Sequence, residues 1–215
     1  MAVALFIVVL VVSFALGSIP WGIVIGRVFY KKDPRDYGSG NIGTTNSIRA
    51  LGKVGGYAVF VGDFCKGLLS GVIAMLIAGW LAQTADAASL FAQHGTLVSA
   101  AFFGCIFGHV FSPWLGFKGG KGIAVAIGCM FISMGPVISI IELVIFAVIV
   151  VTTKYVSAGS IASAVACPFF AIYAFWGNPF AWLLTAIPAI VVVWAHRGNI
   201  KRLREGTESK IGSKK

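Results

Sequence analysis

No charged side chain precedes Arg27, and Ala2 to Ile25 is an almost unbroken apolar run. About 20 such residues cross the hydrocarbon of a bilayer as a helix. Similar runs follow at Tyr57 to Leu81, Leu97 to Leu115, Ile123 to Met134, Val137 to Val151, Ile161 to Trp176 and Phe180 to Ala195, each bounded by glycine, proline or charge. Soluble domains carry roughly 25% charged residues; this chain has 11%, with 58% hydrophobic. The expected fold class is an all-α integral membrane protein of about seven transmembrane helices, the fourth and fifth shorter than the others. The first run has no positive n-region and is too long for a signal-peptide core, so it is expected to stay as a transmembrane helix.

Cytoplasmic loops of membrane proteins carry the excess of Lys and Arg. All 17 of these residues fall between Arg27 and Lys66, at Lys118 and Lys121, at Lys154, and from Arg197 onward. The alternate connections, Gln83 to Thr96, Ser133 to Pro136 and Gly177 to Pro179, hold none. Seven spans with the N-terminus outside and the C-terminus cytoplasmic satisfy this partition. A single catalytic membrane domain is expected over residues 1–200, followed by a short basic cytoplasmic tail over 201–215. The net charge of +10 follows from that topology and would draw the same face to anionic lipid headgroups. No aromatic-interleaved basic module points to nucleic acid. The four cysteines, Cys65, Cys105, Cys129 and Cys167, lie in or beside apolar runs without paired spacing, as core residues do.

Three polar clusters interrupt this apolar background, all on the basic side. In the first, Tyr37 to Lys53, Gly38, Gly40 and Gly43 allow positive φ and close approach of a ligand to the backbone. Ser39, Asn41, Thr44, Thr45 and Asn46 add neutral hydrogen-bonding groups, and Arg49 adds a fork suited to phosphate. With no carboxylate present, the loop reads as an anion cradle; it is not a Walker A loop, because no Gly-Lys-Ser/Thr follows at the required spacing. The second cluster, GHVFSPWLGFKGGKG over 108–122, sets Lys118 and Lys121 around Gly119 and Gly120. Exposed backbone N–H groups, two cations and the start of a helix near Ile123 would favour an anion there. A re-entrant turn anchored by Trp114 would explain the same residues structurally, and His109 reads as a structural hydrogen-bonded residue. The third cluster is split between KYVSAGS at 154–160 and HRGNIKRLREGTE at 196–208. His196 and Asn199 are its site candidates, while Lys201, Arg202 and Arg204 read as interfacial charge.

These three motifs, in this order and covering nearly the whole chain, resemble the bacterial acyl-phosphate-dependent glycerol-3-phosphate acyltransferases, the PlsY family. The resemblance implies a seven-helix enzyme of the bacterial inner membrane, with its active site facing the cytoplasm. It implies transfer of a fatty acyl group from acyl phosphate to the 1-hydroxyl of glycerol 3-phosphate, giving lysophosphatidic acid and phosphate for phospholipid synthesis. No cofactor or metal is implied, membrane lipid is the surrounding partner, and a monomer is compatible with the pattern. Carried onto this chain, family roles place Ser39, Arg49, Lys118 or Lys121, His196 and Asn199 around glycerol 3-phosphate. The backbone of the first loop, with Asn41, Thr45 and Ser157, would hold the donor's phosphate. The family tail reads His-Arg-Glu-Asn, whereas Gly198 stands here in place of the Glu; Glu208, in a matching Gly-x-Glu element, is then expected to carry the acidic role.

The residues themselves agree with this chemistry. An acyl phosphate is already activated, so positioning and anion neutralisation matter more than a strong nucleophile. No Ser-His-Asp set or zinc spacing is evident, and none of His94, His109 and His196 has Asp five positions later. The base is either the departing phosphate or His196. A phosphate or organophosphate transporter is the alternative reading. It would draw on the intramembrane acid Glu142, but transporters show internal repeats and midplane polar sites, and no clear repeat occurs here.

Overall fold

The computed structural model describes residues 1–212; Ser213 to Lys215, the end of the expected tail, lie outside the described residues. The helices are α1 (Ala2–Ser18), α2 (Trp21–Tyr30), α3 (Thr44–Leu81), α4 (His94–Val110), α5 (Ile123–Ser133), α6 (Gly135–Thr153), α7 (Val156–Ala174), α8 (Pro179–Ala195) and α9 (Arg197–Arg204). Short 3₁₀ turns lie at Pro34–Asp36, Leu90–Ala92 and Pro113–Leu115.

Every apolar run expected to be helical is helical over most of its length, and three breaks mark where helices end or bend. Pro20 has no N–H to continue a helix, so the first run divides into α1 and α2. Within α3, Gly52 (φ 81°, ψ 177°) separates residues 44–51 from 53–81, and Ile48 folds back onto Gly56. The third break lies between α8 and α9, which meet at 49°. Among the described residues, five stretches are long and apolar enough to cross a membrane, and the bent α8–α9 pair gives a sixth. The remaining helix, α5, has 11 residues, or about 16 Å of rise against a hydrocarbon layer of about 30 Å. Length alone therefore supports five or six spans rather than the expected seven.

The bundle is organised around α4, whose Leu97, Val98, Ala100, Ala101, Cys105 and Ile106 have no exposure. It packs against α1, α3, α5 and α8. Small residues make the close approaches, as they do where lipid is as apolar as the core: a Cβ on Gly108 would lie 2.1 Å from the Phe14 carbonyl oxygen of α1. The lipid-facing side is the reverse, with Val144, Val148 and Val151 of α6 and Tyr173 of α7 exposed. Cys105, Cys129 and Cys167 are buried as expected, but Cys65 is exposed on α3.

Two expectations change. The boundary placed between 200 and 201 falls inside α9, and the chain beyond it turns back: the amide of Ile211 donates to the Lys154 carbonyl at 2.8 Å. Lys66, counted above among the loop cations, is buried inside α3 at 4% exposure. The charge partition keeps its sense without it, because the connections at 83–96, 133–136 and 177–179 still hold no Lys or Arg.

Candidate active site

The first loop is built around Asn46, which is 2% exposed. Its Oδ1 accepts from the Ser39 amide at 2.8 Å, and its Nδ2 donates to Pro34 O at 2.7 Å and Asn41 O at 2.8 Å. Both N–H donors of this amide are thus engaged, so Asn46 shapes the cradle rather than presenting donors to a ligand. Gly38 (φ 54°) and Gly40 (φ 68°) take the left-handed conformations that the tight path requires. Asn41 Oδ1 accepts from the amide of Gly43 at 2.9 Å, and Gly43 opens α3 without a side-chain cap. The open helix start carries partial positive charge, and Thr45 is exposed beside it.

The cations near this loop differ in availability. Arg27 and Arg35 both bind Asp33, at 2.9 and 2.7 Å, and the hydrogen bonds from Arg35, with help from Arg27, hold that carboxyl well below the usual carboxylate range. Arg49, exposed and packed beside Gly38, has no ion-pair partner among the described residues.

The second loop works differently. The amides of Gly119 and Gly120 donate to Val110 O at 3.0 Å and His109 O at 3.1 Å. These are orphan carbonyls at the end of α4, so the expected open N–H pair is not available to an anion. The glycines serve close approach instead: a Cβ would fall 2.0 Å from His109 O at Gly119 and 2.1 Å from His109 Nε2 at Gly120. Lys118 is exposed, whereas Lys121 is half-buried and its ammonium donates to Asn199 Oδ1. Gly122, at φ 87°, then starts α5 with no side-chain cap.

The third cluster closes over this lysine. Asn199 Nδ2 and Ser157 Oγ both donate to Glu208 Oε1 at 2.7 Å, and Arg202 Nε donates to Glu208 Oε2 at 2.6 Å. Burial alone would raise the Glu208 pKa, but the hydrogen bonds from Ser157, Asn199 and Arg202 outweigh it and hold the carboxyl below its ordinary value. Ser157 therefore positions Glu208 with the hydroxyl expected to meet the donor. His196, buried where α8 turns into α9, has Nδ1 2.7 Å from Val192 O. A carbonyl only accepts, so Nδ1 carries the proton and Nε2 is the acceptor nitrogen.

Lys121 is where the motifs meet. Its pKa is brought down to about 8, first by burial, then by the positive charges of Arg202 and Arg49, with Glu208 opposing. One residue thus senses the first loop, the second loop and the third cluster together. Sequence reasoning named Ser39, Gly40, Asn41, Gly43, Thr45, Asn46, Arg49, Lys118, Gly119, Gly120, Lys121, Ser157, His196, Asn199 and Glu208. Arg202, which reads as interfacial charge in the sequence, also belongs to the cluster. The signal was Gly206 (φ 69°), which turns the chain so that Glu208 comes back to the guanidinium six residues earlier. Glu142, the acid a transport reading would use, is buried on α6 at the wall of a cavity of about 40 Å³ shared with Phe102, Met130 and Phe146. Such a space, lined almost wholly by apolar side chains, has room for no more than a few water-sized molecules.

The sequence profile described as glycerol-3-phosphate acyltransferase matches residues 7–206. Proteins named glycerol-3-phosphate acyltransferase are similar over nearly the full length. That of Listeria monocytogenes serotype 4a is 39% identical, covering 93% of each chain. That of Clostridioides difficile strain 630 is 37% identical, covering 98% of this chain and 97% of its own. The crystal structure of PlsY, an integral membrane glycerol 3-phosphate acyltransferase, in its glycerol 3-phosphate form superposes with a TM-score of 0.80 at 30% identity, covering 96% of both chains. Its lysophosphatidic acid form gives 0.77 at 29% identity, covering 96% of this chain and 95% of its own. With its polar motifs gathered at Lys121 and these full-length matches, the chain belongs to the glycerol-3-phosphate acyltransferase family.

Proposed function

We propose that this protein transfers a fatty acyl group from acyl phosphate to the 1-hydroxyl of glycerol 3-phosphate, releasing lysophosphatidic acid and phosphate. The observation that carries this reading is the convergence of three motifs on Lys121, whose ammonium is bonded to Asn199 and stands within the electrostatic reach of Arg49, Arg202 and Glu208. Arg49, Lys121 and Asn199, with Ser39, hold glycerol 3-phosphate. The uncapped start of α3, with Asn41 and Thr45, holds the donor's phosphate. His196 Nε2 accepts from the 1-hydroxyl and orients it. The hydroxyl oxygen forms a bond to the acyl carbon, the bond from that carbon to the phosphate oxygen breaks, and the proton ends on the departing phosphate.

The topology proposed with this chemistry has seven crossings, α5 being the short one, with the N-terminus outside. The active face lies on the cytoplasmic side of the bacterial inner membrane. The absence of Lys and Arg from the connections at 83–96, 133–136 and 177–179 supports that orientation. One chain contributes every residue named, so a monomer suffices.

The test is a donor panel with the purified protein in detergent and labelled glycerol 3-phosphate. Lysophosphatidic acid is expected from acyl phosphate, with one phosphate released per product and activity retained in a metal chelator. No product is expected from acyl-CoA or from acyl carrier protein. Efficient turnover with acyl-CoA alone would overturn the donor assignment, and uptake of glycerol 3-phosphate into proteoliposomes without acyl transfer would restore the transport reading.

A further inference from the structure

Inside the bundle lies a charged cluster that none of the steps above uses. Asp63, Lys66 and His109 are 2%, 4% and 3% exposed. Ionisable groups at such depth are costly and call for a reason. The Lys66 ammonium lies 2.7 Å from Ile19 O, 2.9 Å from His109 Nδ1 and 2.8 Å from Asp63 Oδ1. Asp63 Oδ1 is held by that ion pair without hydrogen-bond alignment. Two acceptors, Ile19 O and His109 Nδ1, therefore take hydrogen bonds from the ammonium, and the Asp63 carboxylate balances its charge. The Ile19 carbonyl is available because Pro20 ends α1 there. An ammonium only donates, so His109 Nδ1 is an acceptor and the ring proton sits on Nε2. That edge of the ring abuts Gly120, where even a methyl group would collide with Nε2. The backbone of the same His109 and its neighbour Val110 accepts the two loop amides. The next residue is Lys121.

We propose that the Asp63–Lys66–His109 cluster is a positioning device: it ties the α1–α2 break to the end of α4, fixes the His109 ring under Gly120, and so sets where the Lys121 ammonium stands. None of the three is assigned contact with substrate. The inference rests on the reading of Lys121 as a ligand of glycerol 3-phosphate. It departs from a purely structural role in one respect: loosening the cluster must weaken glycerol 3-phosphate specifically, because the first loop, proposed to hold the donor, does not dock on His109.

Two variants test it. Asp63→Asn with Lys66→Met removes both charges together, leaving neither ion unpaired. His109→Asn keeps an amide oxygen for Lys66 but withdraws the ring from Gly120. Each is purified in detergent beside the wild type. The melting temperature, its rise on adding glycerol 3-phosphate, and the KM for each substrate are measured. The expected result is a KM for glycerol 3-phosphate raised about tenfold, as a displaced binding group commonly produces, with the KM for acyl phosphate within about twofold. The ligand-induced thermal shift should move to correspondingly higher glycerol 3-phosphate. A folded variant with an unchanged KM and shift, or with both KM values raised equally, would overturn the proposal. If the double variant fails to fold, His109→Asn decides. A wild type that shows no thermal shift with glycerol 3-phosphate would remove the parent reading and this inference with it; a wild type that shifts beside variants that shift identically would remove only the inference.

Discussion

The two glycine-rich loops have similar composition and opposite construction. The first is held from within, by the Asn46 amide, and its glycines at 38 and 40 are there for their positive φ. The second is held from outside, on the carbonyls and ring of His109, and Gly119 and Gly120 are there because no side chain fits. The first keeps Arg49 exposed at its edge; the second delivers Lys121 inward and leaves Lys118 outside. Glycine near a cation therefore does not by itself mean a backbone anion site. What matters is whether the amides are already bonded.

The largest effect should come from Gly119→Ala and Gly120→Ala. Their new methyl groups meet a backbone oxygen or the buried ring at about 2 Å, and overpacking of this kind costs roughly 1–3 kcal/mol or more. Loss of most activity with a lowered melting temperature is expected. Ordinary kinetics at Gly119→Ala would show that the loop is not docked on His109. Next is Arg49→Ala. Removing a charge-assisted phosphate contact costs about 1.5–3 kcal/mol, read as a drop of about 10- to 100-fold in kcat/KM for glycerol 3-phosphate. A folded variant with near-normal turnover would free Arg49 of its role.

Gly40→Ala should do less, because the nearest atom, Arg35 O, lies at 3.4 Å and only the positive φ is strained. About 1–2 kcal/mol of loop stability is at stake, seen as a few-fold loss of activity. An effect as large as that at Gly119 would erase the distinction between the two loops. The smallest change is expected for Gly198→Glu. The site is exposed, and a new side chain there would meet the Arg202 guanidinium at ordinary contact distance. An i,i+4 pair adds about 0.2–0.5 kcal/mol. Activity within about twofold of wild type is expected, since the acid of this cluster is Glu208; strong activation would mean the acid had been misplaced.

Much of this was legible in the sequence. Apolar run length set the helices, and the three polar motifs contained Lys121 together with Asn199 and Glu208, which the structure links to it by hydrogen bonds. What escaped was long-range. The roles of Gly119 and Gly120 depend on the carbonyls at the end of α4, which no local pattern reveals. Ser157, which looked like a ligand for the donor, is bonded to Glu208, a residue brought back by the turn at Gly206. Lys66 was counted as a loop charge because its neighbours in the chain say nothing of Ile19 and His109. A clue was present in Asp63 and Lys66, three positions apart in an apolar run and so on one helical face. The short α5 was visible as a short run, but its bounding glycines at φ 87° and 83° were not.

The most direct measurement is the KM for glycerol 3-phosphate as a function of pH, in the wild type and in Lys121→Ala. Phosphate monoesters lose their second proton near pH ~6, so binding should strengthen up to neutrality. The Lys121 ammonium, with its pKa brought down to about 8, loses its charge as the pH rises through that value. The wild-type KM should therefore pass through a minimum between these two limits and climb above pH ~8. Lys121→Ala should show a KM raised by about tenfold or more, the scale of a lost charged hydrogen bond, and no climb near pH 8. A variant with the wild-type KM and the same alkaline limb would contradict the placing of glycerol 3-phosphate at Lys121.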